Sequence, residues 1–374
     1  MSMIARMIVA LLAAMMALTG CADSGPDRGG VVVTTDILGD ITQAIVGDAA
    51  PVSVLMPRAG DPHSFAVSAQ QAAGLERTGL IVANGLGLEE GVLRNVEAAA
   101  DAGVPTVYVG LSGIPLTMLW TLHNRASESL RADAVLRDPE CVRIYQSIDF
   151  DYEAAFGKPD GTHAVRSVRF DEVLRPWLAA HPGGTVVELA AGLETQFQRC
   201  DDGKVRWLCV DVPEAIEIRE RYLPATDRCR HLPVSALDLS WLDHVEDPQR
   251  GVFVSAQGLF MYFEPDDVRR LCVAIVERFP GVELMFDTIP PWFSEKTMKG
   301  YRKTPVYTAP PMPWGVERSR IEGLLRRWSP KFAEIRVRSY GPSHGVLAVT
   351  APIFDRLPVL RDIPPSIVWA RAHE

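Results

Sequence analysis

The chain has 374 residues, and its 47% hydrophobic and 23% charged composition buries a sizeable core and excludes a disordered chain. A formal net charge of −9 argues against phosphate-backbone binding as the main task, because nucleic-acid binders carry basic stripes. The six cysteines (Cys21, Cys141, Cys200, Cys209, Cys229, Cys272) show no CxxC or metal-ligand spacing, and the five beyond residue 140 read as small core residues of a reducing compartment.

The first 21 residues read MSMIARMIVALLAAMMALTGC. Arg6 supplies a thin positive region, and residues 7–18 form an apolar core too short to span a bilayer alone. Leu18-Thr19-Gly20-Cys21 resembles a bacterial lipobox, in which Cys21 is lipidated and anchors the chain to a membrane. A buried N-terminal helix is the other reading of this run. Residues 22–30 form a polar tether.

Residues 31–109 alternate strand and helix. Strands are predicted over 31–35, 52–56, 80–83 and 106–109, with helices over 36–46, 66–77 and 89–100. Such alternation implies a parallel sheet. The segments VVVTTDILGDITQAIVGD, VSVLMPRAGDPHSF and LIVANGLGLEEGV resemble the first lobe of the zinc/manganese substrate-binding lipoproteins of bacterial ABC importers. The resemblance makes 31–110 a partial lobe and implies that His63 is a metal ligand. Zinc or manganese is the metal in that reading. Past Val109 the further His and acidic ligands of that family are missing. Asp61 and His63 alone cannot build a four-ligand site, so His63 reads as a vestige.

The register changes at 110–113. From Leu119 an amphipathic helical region runs to the Gly157–Gly161 link, and another helix over 162–181 stops at Pro182-Gly183-Gly184. These helices read as a cap over a sheet, either a substrate lid or simple edge packing.

The stretch 185–218, TVVELAAGLETQFQRCDDGKVRWLCVDVPEAIEI, reads as strand, small-residue turn, helix and second strand ending in Asp211. Such a unit admits a nucleotide-like ligand, whose ribose an acid about 20 residues on can bind. The turn is not GxGxxG, which disfavours a nicotinamide cofactor. Glu188 and Asp211, one acid near the end of each strand, fit S-adenosylmethionine better. A ligand-free α/β unit has the same local pattern. Further on, a helix is predicted over 213–223, strands over 251–255 and 282–289, and a helix over 265–279. An irregular Pro- and aromatic-rich insert covers 290–316. A helix over 317–328 precedes a terminal hairpin of strands 332–339 and 345–350. That leaves 353–374 as a C-terminal tail after a domain spanning 111–352.

Four pieces in order, VELAAGLETQFQR, CVDVPEAIEIR, VSALDLSWL and AQGLFMYFEPDDV, together resemble the leucine carboxyl methyltransferase family, including its bacterial polyketide O-methyltransferase-like branch. The resemblance implies a Rossmann-like class I methyltransferase sheet, α/β, with a helical N-terminal cap. It implies that Glu188, Ala190 and Gly192 line the methionine part of S-adenosylmethionine, and that Asp211 takes the ribose hydroxyls. Asp238 and Leu239 would bracket the adenine. Arg166 would pair with the cofactor carboxylate, and Tyr262 would border the methyl-transfer site as the catalytic candidate. Ala190 stands where a Gly is usual, which costs little if φ is negative there. Gln257 stands where the family has Glu, keeping an acceptor but not a charge for the cofactor ammonium.

A carboxylate acceptor needs no base. A phenol or alcohol does, and His163, His231 and Tyr262 are the candidates. The expected function is O-methylation of a small-molecule carboxylate or hydroxyl acceptor by in-line transfer, with no nucleic-acid partner. The alternative is a metal-binding lipoprotein with an inactive or ligand-binding methyltransferase-like domain. The lipobox predicts export, whereas the cofactor and the cysteines suit the cytoplasm. A gene fusion reconciles the two.

Overall fold

A computed structural model describes residues 29–56, 67–83, 90–108, 116–305, 307–341, 344, 357 and 360–374. The signal segment with Cys21, most of the tether, the loop carrying His63 and the strand expected at 345–350 lie outside the described residues. Among the described residues no helix is long and apolar enough to cross a membrane. The chain divides into two compact units, Met1–Pro115 and Leu116–Glu374.

The first unit runs β1 (Val31–Val33), α1 (Asp36–Val46), β2 (Val52–Val54), α2 (Ala69–Leu75), β3 (Leu80–Ala83), α3 (Glu90–Asp101) and β4 (Thr106–Tyr108). Its four strands form an all-parallel sheet in the order β2-β1-β3-β4. β3 reads LIVA and is buried throughout, as a parallel strand covered on both faces must be. Thr35 caps α1 by accepting from the Leu38 N–H, and Ser68 and Gln71 form a capping box on α2.

The second unit opens with four helices, α4 (Leu116–Ser129), α5 (Pro139–Ser147), α6 (Tyr152–Phe156) and α7 (Thr162–Ala180). Then come β5 (Thr185–Leu189), α8 (Gln196–Cys200), β6 (Arg206–Asp211), α9 (Pro213–Tyr222), β7 (Cys229–Pro233), β8 (Val252–Ala256), α10 (Pro265–Arg278) and β9 (Glu283–Thr288). The chain ends with α11 (Pro291–Met298), β10 (Arg302–Thr304), β11 (Tyr307–Thr308), α12 (Arg318–Trp328), β12 (Phe332–Ser339) and β13 (Ser366–Ala372).

Among the described residues, seven strands form one sheet in the order β12-β13-β9-β8-β5-β6-β7. β13 runs antiparallel between β9 and β12, and the pairs from β9 to β7 are parallel. This is the expected Rossmann-like class I methyltransferase sheet with an antiparallel strand near one edge. Successive side chains pack on opposite faces. Val187, Leu189, Leu208 and Val210 join α10 and α12 in one cluster, while Val186, Trp207 and Cys209 join α7 and α8 in the other.

Two expectations are corrected here. Among the described residues β12 pairs with 366–372, so 353–374 is no tail: its last residues form a strand paired along both edges. SIVWARA at 366–372 is rich in β-branched and aromatic residues, which suits a strand buried between two neighbours. The 290–316 insert is not irregular throughout. It holds α11 and the β10–β11 hairpin. Proline at the first position of α11 favours a helix start, where no amide needs a partner.

Candidate active site

The strand order reverses at β5, with β6 on one side and β8 on the other. A sheet of this kind opens a crevice at such a switch point, outside the carboxyl ends of its strands. The β5 turn bends sharply there, with Ala190 at φ 54° and Gly192 at φ 45°. The condition under which Ala190 would cost little, a negative φ, is therefore not met. A left-handed alanine is strained by its Cβ. Ala190→Gly is expected to raise stability by about 0.5–1 kcal/mol, read from urea unfolding. No change would mean that the turn relaxes.

Asp211, at the end of β6, is tied to this turn. Its Oδ2 accepts from the Gly192 N–H at 2.8 Å and its Oδ1 from the Val212 N–H at 2.8 Å. Burial nonetheless pushes its carboxyl above the usual range, with the two amides opposing. Asp238 is exposed and caps a short 3-10 helix by accepting from the Ser240 N–H at 3.0 Å. Leu239 beside it is half-buried and packs against the core.

Across the switch point, Gln257 and Gly258 follow β8. Gly258 has φ 68°, and a Cβ there would come within 2.6 Å of Arg166 Nη1, so only glycine fits. Arg166, on α7, donates from Nη1 to Asp287 Oδ2 at 3.2 Å. Asp287 also accepts from the Gly258 N–H at 2.5 Å and from the Tyr340 hydroxyl. Arg166 Nε and Gln257 Oε1 are buried with no partner. Sequence reasoning reached Arg166 and Gln257 but missed Asp287, Tyr340 and Gly258. An acid at the end of β9, in FDTIPP, was the available signal.

Glu188 belongs to the α7–α8 face of the sheet and is 1% exposed. Its Oε2 accepts from Trp207 Nε1 at 3.0 Å, and its Oε1 has no partner. Burial holds its carboxyl well above the usual range. Period-2 alternation puts it in the same layer as Trp207 and Cys209. An acid that does brace the turn is Glu194. Its Oε1 pairs with Arg125 Nη1 at 2.8 Å and Arg199 Nη1 at 2.7 Å. Arg199 also holds Asp138 and Asp171, and Arg125 Nη2 donates to the Leu193 carbonyl at 2.8 Å.

On the cap side, α4 and α7 bring Trp120 against His163, ring centres 5.1 Å apart, and Trp120 against Tyr307 at 5.7 Å. Trp120 Nε1 and the Tyr307 hydroxyl are buried with no partner. Lys303 Nζ lies 4.9 Å over the Trp120 ring. Tyr262 packs with Met261, Ile289, Met312 and Phe293, and burial pushes its phenol up to about 12. It is therefore a poor base. His163 is held neutral, its imidazole lowered to about 3 by burial and by the Arg166 charge. Asn124 Oδ1 accepts from the Asp160 N–H, so Asn124 Nδ2 must donate to His163 Nδ1 at 2.9 Å. The His163 proton then sits on Nε2. His231 lies elsewhere, with Nδ1 2.6 Å from Glu220 Oε1.

Residues 119–276 match leucine carboxyl methyltransferase, and residues 31–145 match zinc-uptake complex component A, periplasmic. The latter match passes the expected end near 109 and overlaps the former. The tetracenomycin polyketide synthesis O-methyltransferase TcmP of Streptomyces glaucescens is 30% identical over 231 residues, which are 59% of this chain and 84% of that protein. The manganese-binding lipoprotein MntA of Halalkalibacterium halodurans is 30% identical over 155 residues, 37% of this chain and half (50%) of that protein's length. A solved S-adenosylmethionine-dependent methyltransferase from Anabaena variabilis aligns at a TM-score of 0.39 and 13% identity, over 56% of this chain and 85% of that one. The extent of the TcmP match shows that this chain belongs to the leucine carboxyl methyltransferase family, as an S-adenosylmethionine-dependent methyltransferase preceded by a segment similar to zinc-uptake component A.

Proposed function

We propose that the chain transfers the methyl group of S-adenosylmethionine to an oxygen of a small molecule, with a carboxylate as the first acceptor class. The observation that carries this is the set of buried groups without partners around the crevice. Gln257 Oε1 is an acceptor suited to the cofactor ammonium, and Arg166 Nε is a donor suited to its carboxylate. Asp211 at the end of β6 is the group for the ribose hydroxyls, with Ala190 and Gly192 letting the backbone approach and Asp238 and Leu239 at the adenine end. When bound, the cofactor supplies a sulfonium-activated methyl. The chain's residues then align the acceptor and shield the crevice from water.

The acceptor side favours an anion. Trp120 Nε1–H and the Tyr307 O–H are unpaired donors, His163 is assigned an Nε2–H, and Lys303 adds positive charge. None of these is a ready base, and a carboxylate needs none. The likeness to TcmP, an O-methyltransferase of polyketide synthesis, makes polyketide-like acids the first compounds to test.

The test uses methyl-labelled cofactor and a panel of aromatic carboxylic acids and phenols. Label released as methanol by mild alkali marks an ester, and alkali-stable label marks an ether. Ester is the expected product. Trp120→Phe is expected to raise the acceptor KM about 10-fold with kcat within a factor of about 3, the loss of one hydrogen bond to a charged group. Alkali-stable product alone would sink the carboxylate reading.

We further propose that residues 1–21 act as a lipoprotein signal with Cys21 as the anchor, and that the segment 31–110 retains no working site at His63. The lipobox and the MntA likeness support the first. Globomycin-sensitive processing, or its absence, decides it.

A further inference from the structure

Beside the crevice, but apart from it, the sheet register assembles a second cluster. Glu188 pairs across from Cys209, and Cys209 across from His231, in one row over β5, β6 and β7. Cys229 stands opposite Trp207, two residues down the strand. Strand alternation turns all four side chains to one face. The Cys209 and Cys229 sulfurs are 3.9 Å apart, and Glu188 Oε2 is 3.8 Å from Cys209 Sγ. The ligand atoms of Cys209, Cys229 and His231 all lie within 4.8 Å of one another. Glu188 Oε1 is buried with no partner, although its residue is 1% exposed.

We propose that Cys209, Cys229 and His231, completed by Glu188, form a buried tetrahedral site for a zinc ion, distinct from both the cofactor crevice and the His63 segment. Zinc–sulfur bonds of about 2.3 Å in a tetrahedron put two sulfurs about 3.8 Å apart, which is the observed separation. A disulfide requires about 2.05 Å, so the two sulfurs would have to close almost half the gap between them.

The histidine is oriented as a metal ligand. Arg219 Nε can only donate, so its 3.2 Å contact makes His231 Nε2 an acceptor. The His231 proton therefore sits on Nδ1, donated to Glu220 Oε1 at 2.6 Å. A carboxylate on the far nitrogen is the usual support of a metal-bound imidazole. Metal binding replaces the Arg219 contact at Nε2, and the thiol protons, with any on Glu188, leave to solvent. Charge then balances. Two thiolates and a carboxylate against Zn²⁺ leave one negative charge, which the buried Arg219 guanidinium offsets. Arg219 Nη1 keeps its bonds to the Gly192 carbonyl at 2.9 Å and the Glu194 carbonyl at 2.8 Å. The ion would thus clip three strands together under the turn that shapes the crevice.

The test uses the full chain carrying His63→Ala, which removes the N-terminal candidate ligand. After zinc loading and dialysis under reducing conditions, one zinc per chain is expected, falling to near zero in Cys209→Ser/Cys229→Ser. Cobalt(II) in place of zinc is expected to show a thiolate-to-metal charge-transfer band. Cys229→Ala weakens that band if the double variant does not fold. Zinc retention unchanged in the double variant, failure to retain zinc, or a cobalt complex without the thiolate band would each overturn the proposal. So would a Cys209–Cys229 disulfide that forms in air in the presence of zinc.

Discussion

Glu194→Gln is expected to remove about 3 kcal/mol of folding stability, a large share of what a domain of this size holds. The carboxylate is buried between Arg125 and Arg199, at 2.8 Å and 2.7 Å, and these guanidiniums are also buried. A neutral amide of the same shape leaves them short of one negative charge. The same pair gives the pH dependence. Arg125 and Arg199 outweigh desolvation and hold the Glu194 carboxyl at about 2, below its ordinary 4.5. A depressed acid stabilises the fold fully above its unfolded value, and that contribution disappears as pH falls through the folded one. Wild-type stability should therefore fall more steeply than that of Glu194→Gln between pH 4.5 and 2, measured by urea unfolding at each pH. Parallel curves would mean that the network is already solvated.

Asp211→Ala is expected to weaken S-adenosylmethionine binding about 10- to 100-fold in isothermal titration, the range for losing hydrogen bonds from hydroxyls to a buried carboxylate. The variant also frees the Gly192 N–H, so the turn loses its tie to β6. Asp211→Asn separates the two effects. It keeps an acceptor for the turn but removes the charge, and should fall between wild type and Asp211→Ala. Equal affinity in all three would show that the ribose is held elsewhere and would remove Asp211 from the site. Thermal unfolding without cofactor checks that each variant is folded.

Much of the crevice was legible in the chain. The alternation of β-branched runs and helices, the Ala190–Gly192 turn and the acid closing β6 are local patterns, each set within a few residues. Arg166 and Gln257 were reached through the order of motifs. Less legible was the face of Glu188, which strand parity shares with Trp207 and Cys209. The backbone of Ala190 was not legible either, since nothing in its neighbours forces φ to 54°.

The sequence by itself determined the two-part organisation, the elements of the crevice and the family, because these rest on short-range pattern and motif order. Tertiary structure alone decided that the last residues of the chain enter the sheet, since β13 is placed by pairing with β9 and β12 together. It also decided the buried network of Arg125, Asp138, Asp171, Glu194 and Arg199, drawn from three helices and the loops that join them. The Cys209, Cys229 and His231 cluster was invisible for the same reason. No linear spacing marks it, because strand register, a contact between residues far apart in the chain, is what sets those side chains side by side.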